Sequence, residues 1–288
     1  MTSSPPTVNV SEILQQAGFE FMEDGLIHIP DNFQRIKIDV GLSLDAPNAI
    51  SWLKSDPHLL VLGFEANPKC IESVRETILQ LSVGDELTKR LWLFPIALGA
   101  KTQTREFFET VNPGWSSFYR PRKYDILGSY SIPVAALSDV LDLLKFPSSI
   151  KRIDHIKTDC QGGDLDVIRG AVRDLNRIAV VTSESESTQY SSAPNSESDM
   201  RRFLESFGFV QHNPRSIVRR FIGNLILNSP IHNMVALLIR TIRERTGSKL
   251  LTTNAWAGDS INVEDPTFIN SSYSRLVEDG VITAFQKG

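Results

Sequence analysis

With 288 residues and 41% hydrophobic content, the chain carries enough apolar mass for one sizeable α/β core with room for an insertion. A formal net charge of −4 argues against general nucleic-acid binding. Cys70 and Cys160 supply neither a disulfide framework nor a zinc motif, which implies a reducing compartment and a cytoplasmic location. The N-terminus, MTSSPPTVNV, is Pro- and Ser-rich and has no basic region followed by an apolar run, so no secretory signal is expected. Residues 10–18 predict a helix starting at Ser11, inside an N-terminal extension that covers residues 1–34. Residues 35–40 predict the first strand, and 47–54 a helix, with Pro47 suited to its first turn because a missing N–H costs nothing there. Residues 59–64 are a nearly continuous apolar run, the pattern of a buried parallel strand. A helix over 68–81 and a third strand over 91–97 follow. Residues 104–110 and 132–134 read as short extended segments, and 138–144 as a helix. Strands four and five are expected at 153–158 and 178–183. Between them Leu165, Ile168 and Val172 stand at helical spacing. A Ser-rich loop spans 183–198, and a helix over 198–207 stops at Gly208. Strands alternating with helices predict a parallel sheet with helices on both faces, as one domain.

Beyond Phe209 the pattern changes. Residues 215–245 read as two helices broken near Asn228 and Pro230, the body of a helical insertion over 215–253. The most apolar stretch, 221–239, is interrupted by Asn228, Pro230, His232 and Asn233, so no bilayer-spanning helix is expected. Closing strands are expected at 266–270 and 280–286.

Polar residues gather at the predicted strand ends, where open α/β sheets bind ligands. The fourth strand ends in Lys157-Thr158-Asp159 and breaks at Gln161-Gly162-Gly163, and Asp164 then sits where an acid suits a helix dipole. The first strand ends in Asp39-Val40-Gly41, and the glycine permits a tight turn. Glu65 follows the second strand, where an acid can accept both ribose hydroxyls of a nucleoside. Dinucleotide-binding enzymes use the same device, so an NAD-linked oxidoreductase is one alternative. Such an enzyme should also show G-x-G-x-x-G after its first strand, and this chain does not. The plainer reading of Asp39 is a turn cap, that of Asp159 a partner for Lys157, and that of His155 a satisfied core histidine. No His/Asp cluster has ligand spacing, so no metal is expected.

Residues 157–171, KTDCQGGDLDVIRGA, fit the pattern K-x-D-x-x-G-x-[DE]-x-x-x-[LI]-x-G-A and resemble the FkbM family of S-adenosylmethionine-dependent methyltransferases. The segment DVGLSLDAPN, with Ser43, Asp45 and Ala46 where further glycines are common, resembles a subgroup with D-V-G-L-S-x-x-A-P. Gly63-Phe64-Glu65-Ala66-Asn67-Pro68, Ile96-Ala97-Leu98-Gly99 and Gly114-Trp115-Ser116-Ser117 match further family segments in the correct order. The resemblance covers roughly 36–209 and resumes at 265–270.

The resemblance implies a Rossmann-like class I methyltransferase fold and S-adenosyl-L-methionine as cofactor. Asp39, Gly41, Ser43, Glu65, Ala66, Ala97, Ser116, Ser117, Asp159, Gln161 and Gly162 would then line the cofactor site. Ala97 would flank the adenine, and Ser116 and Ser117 would hold the amino-acid end. The expected reaction is O-methylation of a hydroxyl on a small-molecule, sugar or lipid acceptor, with Asp159, Glu184 and His212 as base candidates in falling order. The absence of a D/N-P-P-Y motif leans toward oxygen. Residues 215–249 are basic with an apolar stripe. They read as a helical cap over the acceptor side, with a homodimer contact or an anionic membrane surface as alternatives. A noncatalytic S-adenosylmethionine-binding module, or a binding protein whose acceptor pocket the insertion has repurposed, also remains open.

Overall fold

The computed structural model describes residues 8–185, 189–212, 265–274 and 276. The expected insertion over 215–253 and the strand over 280–286 lie outside the described residues. Helix α1 (Val10–Gln16) leads through a two-residue strand β1 (Ile27–His28) to β2 (Arg35–Val40), α2 (Pro47–Ser55), β3 (Leu59–Phe64), α3 (Pro68–Leu79), α4 (Gly84–Arg90) and β4 (Leu91–Phe94). A second run follows: β5 (Ala97–Gly99), β6 (Gln103–Thr110), β7 (Ile126–Ala136), α5 (Leu137–Leu141) and β8 (Leu144–Lys145). Then come β9 (Ile153–Thr158), α6 (Asp164–Gly170), β10 (Ile178–Ser183), α7 (Glu197–Glu205), β11 (Phe209–Gln211) and β12 (Thr267–Asn270).

The main sheet has the order β11-β12-β10-β9-β2-β3-β4. Its strands run parallel except β12, which is antiparallel to both β10 and β11. This is the class I methyltransferase arrangement. Chain order turns back at β2, whose neighbours are β3 and β9, and such a reversal opens a crevice at the carboxyl ends of the strands. Alternation sends Ile36, Ile38, Val40 and Ile156 to one face, against Leu165, Ile168, Leu204 and Leu14. Val61 and Leu59 take the other face, against Trp52, Val74 and Leu87 of α2, α3 and α4.

Strands β2, β3, β9 and β10 have the bounds read from the sequence. Other elements differ, each for a physical reason. Helix α1 is capped by Asn9, which accepts the Glu12 N–H, and not by Ser11, whose hydroxyl donates to Asn9 instead. The expected third strand breaks at Pro95, and its second half becomes β5 in a separate three-stranded sheet, β5-β7-β6. The extended segment expected at 132–134 is the end of the eleven-residue β7. The helix expected at 138–144 covers only Leu137–Leu141, because Leu144 and Lys145 pair with β1. Val172 lies beyond the end of α6 and is exposed, so it is not part of that helix's buried stripe. The N-terminal segment is integral to the core: Val10, Leu14, Ile27, Ile29 and Phe33 are all buried. Among the described residues no helix is long and apolar enough to cross a membrane.

Candidate functional site

Three strand tips converge where the order reverses. The Gly41 N–H donates to Phe64 O at 2.9 Å, and the Asp159 N–H donates to Val40 O at 2.9 Å. Backbone bonds thus tie the ends of β3, β2 and β9 together. Gly41 has φ +80°, and a Cβ built on it would lie 2.0 Å from the Asp159 carbonyl oxygen. A side chain at 41 would therefore separate the first and fourth tips. Non-glycine residues held at positive φ cluster here too: Ser43 and Ala46 after β2, and Gln161 after β9. Such strain persists only where surrounding contacts over-determine it, and it gathers at functional sites.

Asp39 is buried, and its Oδ2 accepts the Ala49 N–H at 3.0 Å. Helix α2 follows Ala46, which offers no side-chain cap, so Asp39 caps it from the neighbouring strand. The other oxygen, Oδ1, is buried without a hydrogen-bond partner, and burial raises the carboxyl pKa to about 6. The plain reading of Asp39 as a cap thus describes half of its carboxylate.

Glu65 is half-buried and laced with backbone donors. Its Oε2 accepts Leu42 N–H at 3.1 Å and its Oε1 accepts Asn67 N–H at 2.9 Å, with the Ala66 and Ser43 amides adding to the set. Burial pushes the Glu65 pKa up to about 7 against these donors. Ala66 is half-buried beside it, and Ser43 is exposed. Ser43 Oγ would lie 2.9 Å from a Cβ on Gly114, so the turn at Pro113–Trp115 sits directly on the loop after β2. Asn67 reinforces that contact by donating to Pro113 O at 3.4 Å.

Ser116 and Ser117 are both buried and both already bonded. Ser116 Oγ accepts the Thr110 N–H at 3.2 Å. Ser117 Oγ donates to the Gln161 carbonyl at 2.7 Å and accepts the Tyr119 N–H at 2.9 Å. Their hydroxyls pin this segment to the loop after β9. Ala97 is buried at the start of β5, opposite Val134.

The loop after β9 is organised by side chains. Asp159 Oδ2 lies 2.9 Å from Lys157 Nζ, and its Oδ1 accepts from Gln161 Nε2 at 2.8 Å. The same amide donates to Glu184 Oε2 at 3.2 Å. Burial alone would raise Asp159, but Lys157, with hydrogen bonds from Glu184 and Gln161, reverses the sign and holds it low, at about 2. Gly162, at φ +93°, packs so that a Cβ there would meet Ala193 and Tyr190 at 3.1 and 3.4 Å. Asp164 is fully buried and accepts the Cys160 N–H, and burial beside Asp159 raises its pKa to about 7. Cys160 fits the filler reading, because burial raises its thiol well above the usual value. His155 is a core histidine satisfied at one nitrogen: Nε2 bonds Thr182 at 2.9 Å and the ring packs on Trp52, while Nδ1 is buried without a hydrogen-bond partner and burial lowers the pKa to about 3. His212 is exposed after β11 at the sheet's edge, with β12 and β10 between it and β9. The structure therefore joins Asp159 and Glu184 and leaves His212 apart from them.

Two residues of this site carried no signal in the sequence. Asn195 is buried: its Nδ2 donates to Asp164 Oδ2 at 2.9 Å and to Glu184 O at 2.8 Å, and its Oδ1 accepts the Leu165 N–H at 3.1 Å. Tyr190 bonds the Gln161 amide and the Trp115 carbonyl, beside a stacked Trp115–Tyr124 pair. Both sit in a Ser-rich stretch read only as a loop. Among the described residues no group of three or more His, Cys, Asp or Glu is placed to hold a metal ion.

A search of curated proteins finds no match. Among solved structures the chain is similar to methyltransferase FkbM from Methylobacillus flagellatus KT, at 11% identity and a TM-score of 0.37, covering 72% of this chain and 45% of that one. It is also similar to the N-terminal domain of human METTL16 in complex with SAH, at 13% identity and a TM-score of 0.34, covering 73% of this chain and 66% of that one. A third is StiE O-MT residues 942–1257, at 11% identity and a TM-score of 0.35, covering 82% of this chain and 66% of that one. The chain thus spans under half the length of the first of these proteins and about two thirds of the other two. The sequence model of the Methyltransferase FkbM domain matches residues 32–210, more than half of the chain and all of the sheet up to β11, and on that match the chain belongs to the FkbM methyltransferase family.

Proposed function

We propose that this protein transfers a methyl group from S-adenosylmethionine to a hydroxyl of a small-molecule, sugar or lipid acceptor. One observation carries the reading: a backbone-lined turn at Gly41 and Glu65 adjoins a carboxylate cluster, Asp159 and Glu184, at the reversal of strand order. The residues fit the cofactor. Gly41 lets the ends of β2 and β9 close up at the crevice, because a Cβ there would overlap the Asp159 carbonyl, and Asp39 leaves a buried acceptor oxygen unpaired beside it. Glu65 would take the ribose hydroxyls on the lone pairs left by its two well-formed bonds, from Leu42 and Asn67. Ser43, Ser116, Ser117, Gln161 and Gly162 would shape the amino-acid end through backbone groups, and Ala66 and Ala97 would flank the adenine. The cofactor supplies an electrophilic methyl group on a sulfonium.

The chain's own residues then have two tasks. They hold the acceptor oxygen in line with the methyl carbon, and alignment of that kind can supply about 7–11 kcal/mol at best. They also take the hydroxyl proton, a contribution of about 10²–10⁴-fold. Asp159 is a weak base because Lys157 holds its pKa low, and it serves better as the fixed negative charge suited to a cationic donor. Glu184, which shares the Gln161 amide and a hydrogen bond with Asp159, is the preferred base ahead of Asp159 and His212 in the state where the proton the pair shares has left. Calorimetric titration with S-adenosylmethionine, S-adenosylhomocysteine and NAD tests the cofactor. Binding of NAD alone would sink the reading. Turnover over a mixed acceptor panel, read as S-adenosylhomocysteine released, separates an enzyme from a binding module.

A further inference from the structure

We propose that Tyr190 is a positioning residue, whose hydroxyl holds the Gln161 side-chain amide so that its N–H groups stay between Asp159 and Glu184. The inference rests on the methyl-transfer reading of this site. Gln161 is fixed at its backbone, with φ +52° and its carbonyl bonded by Ser117 at 2.7 Å. Its side chain makes contacts at both ends. Nε2 reaches Asp159 at 2.8 Å and Glu184 at 3.2 Å, and Oε1 accepts from Tyr190 at 2.5 Å. An amide has two donors on one side and an acceptor on the other, so the network decides which way it points. Turned over, its oxygen would face two carboxylates. In the observed orientation one amide donates to both acids, to Asp159 at 2.8 Å and to Glu184 at 3.2 Å.

Tyr190 makes that orientation sustainable. It is 2% exposed, and it packs on Gly162, where a built Cβ would meet its ring at 3.4 Å. Its segment is held by backbone pairing on both sides, from Arg122 N–H to Gln189 O and from Ser191 N–H to Arg120 O, each at 2.9 Å. The phenol has one proton and two acceptors in range, Gln161 Oε1 and the more distant Trp115 O at 3.1 Å. Burial and nearby Tyr124, Glu184, Asp159 and Asp164 raise its pKa, so it remains a donor. Without that hydroxyl the Gln161 oxygen has no partner beside an apolar ring. The amide then turns outward and removes its N–H groups from between the two acids. Groups facing the pair from every side are Lys157 on β9, Asp39 on β2, Glu65 after β3, Asp164 on α6, and Tyr124 with Tyr190 across the mouth. Lys157 is the one cation among them, so loss of the neutral Gln161 donor makes the Asp159–Glu184 pair bind its proton more tightly.

The test uses the full chain and needs no acceptor. S-adenosylmethionine carries a sulfonium charge that S-adenosylhomocysteine lacks, so their affinity ratio reads the ionised carboxylates. Calorimetry over a pH series should show a preference for the charged ligand that fades as the pair protonates. In Tyr190→Phe, which keeps the ring, that fading should come about one pH unit higher, roughly a tenfold loss of preference at the lower end. Gln161→Leu should do the same, and the double variant should be no worse than either, as expected for residues acting through one bond. Thermal melts establish that the variants are folded. An unshifted profile in Tyr190→Phe, additive losses in the double variant, or no charge preference at any pH in wild-type protein would each overturn the proposal. Wild-type protein that binds neither ligand sinks the methyl-donor reading first, and this proposal with it.

Discussion

The loops after β2 and after β9 meet at one point but are held in different ways. The first is shaped by backbone: Glu65 gathers the amides of Leu42, Ser43, Ala66 and Asn67, and Gly41 bonds Phe64 O. The second is shaped by side chains: Gln161, Glu184, Asn195 and Tyr190 bond one another, Asp159 and Asp164. A backbone cradle tolerates most substitutions outside Gly41 and Glu65, because main-chain donors do not change with the side chain. A side-chain network is sensitive at each member and responds to pH, because its acids share donors and charge. The division suits a site in which one part grips an invariant ligand and the other performs proton chemistry.

Gly41→Ala should break the comparison most severely, since that residue joins the two loops. The new Cβ would overlap the Asp159 carbonyl, and positive φ adds its own cost, so a loss of about 3 kcal/mol or more is expected in denaturant unfolding. S-adenosylmethionine binding should fall below detection. Asn195→Ala should damage only the second loop. It leaves the Leu165 N–H unpaired and buried and removes one donor from Asp164, at a cost of about 1–3 kcal/mol. Turnover should drop far more than cofactor affinity, and equal losses in both would show that the loops are not separable. Glu65→Ala probes the first loop alone. A charged hydrogen bond is worth about 1.5–3 kcal/mol, so cofactor affinity should weaken between about tenfold and somewhat over a hundredfold. Unchanged affinity by calorimetry would reject Glu65 as the ribose acceptor.

A pH dependence with opposite signs in one core sharpens the comparison further. The pKa of His155 is lowered to about 3 by burial, against 6.5 for the model imidazole. Between those values the unfolded chain takes up a proton that the folded chain does not, so this histidine's contribution is lost as pH falls from 6.5 toward 3. Asp39 and Glu65 run the other way. Their folded pKa values, about 6 and 7, lie above the ordinary carboxyl range, so their contribution is present at low pH and lost as pH rises through those values. Comparing unfolding free energy of wild-type protein and His155→Phe over pH 4–8 isolates the first component. The variant should close the gap on wild-type protein as pH falls, and a constant difference would mean that His155 protonates freely in the fold.

The main sheet was legible because its strands speak for themselves. Residues 35–40, 59–64, 153–158 and 178–183 are apolar runs bounded by turn residues, and the acids at their ends follow from the position of ligands in open sheets. Helix α4, GDELTKR, was not legible, because Leu87 is its one large apolar residue and no stripe forms. Strand β7 was seen only at its buried end, since residues 127–131 are exposed and lack alternation. Strand β5 could not be separated from β4, because the partner that claims it, Val134–Ala136, is remote in sequence. Tyr190 and Asn195 were missed for the same reason. Their bonds to Gln161 and Asp164 cross 29 and 31 residues, and nothing in a Ser-rich loop marks which residue will reach so far.

The pairing of β1 with β8 has a consequence for the order in which this protein is made. Lys145 reaches Asp24 at 2.9 Å across 121 residues, and Ile27 stands beside Leu144 in the same small sheet. The strand β1 therefore has no strand partner until β8 has been made. During that interval Ile27 lacks Leu144, its neighbour in the small sheet. Contacts so distant in sequence close slowly, because loop-closure entropy must be overcome first. Synthesis thus passes through a window in which β1 is an unpaired strand open to chaperones, and that window closes only once β8 is available.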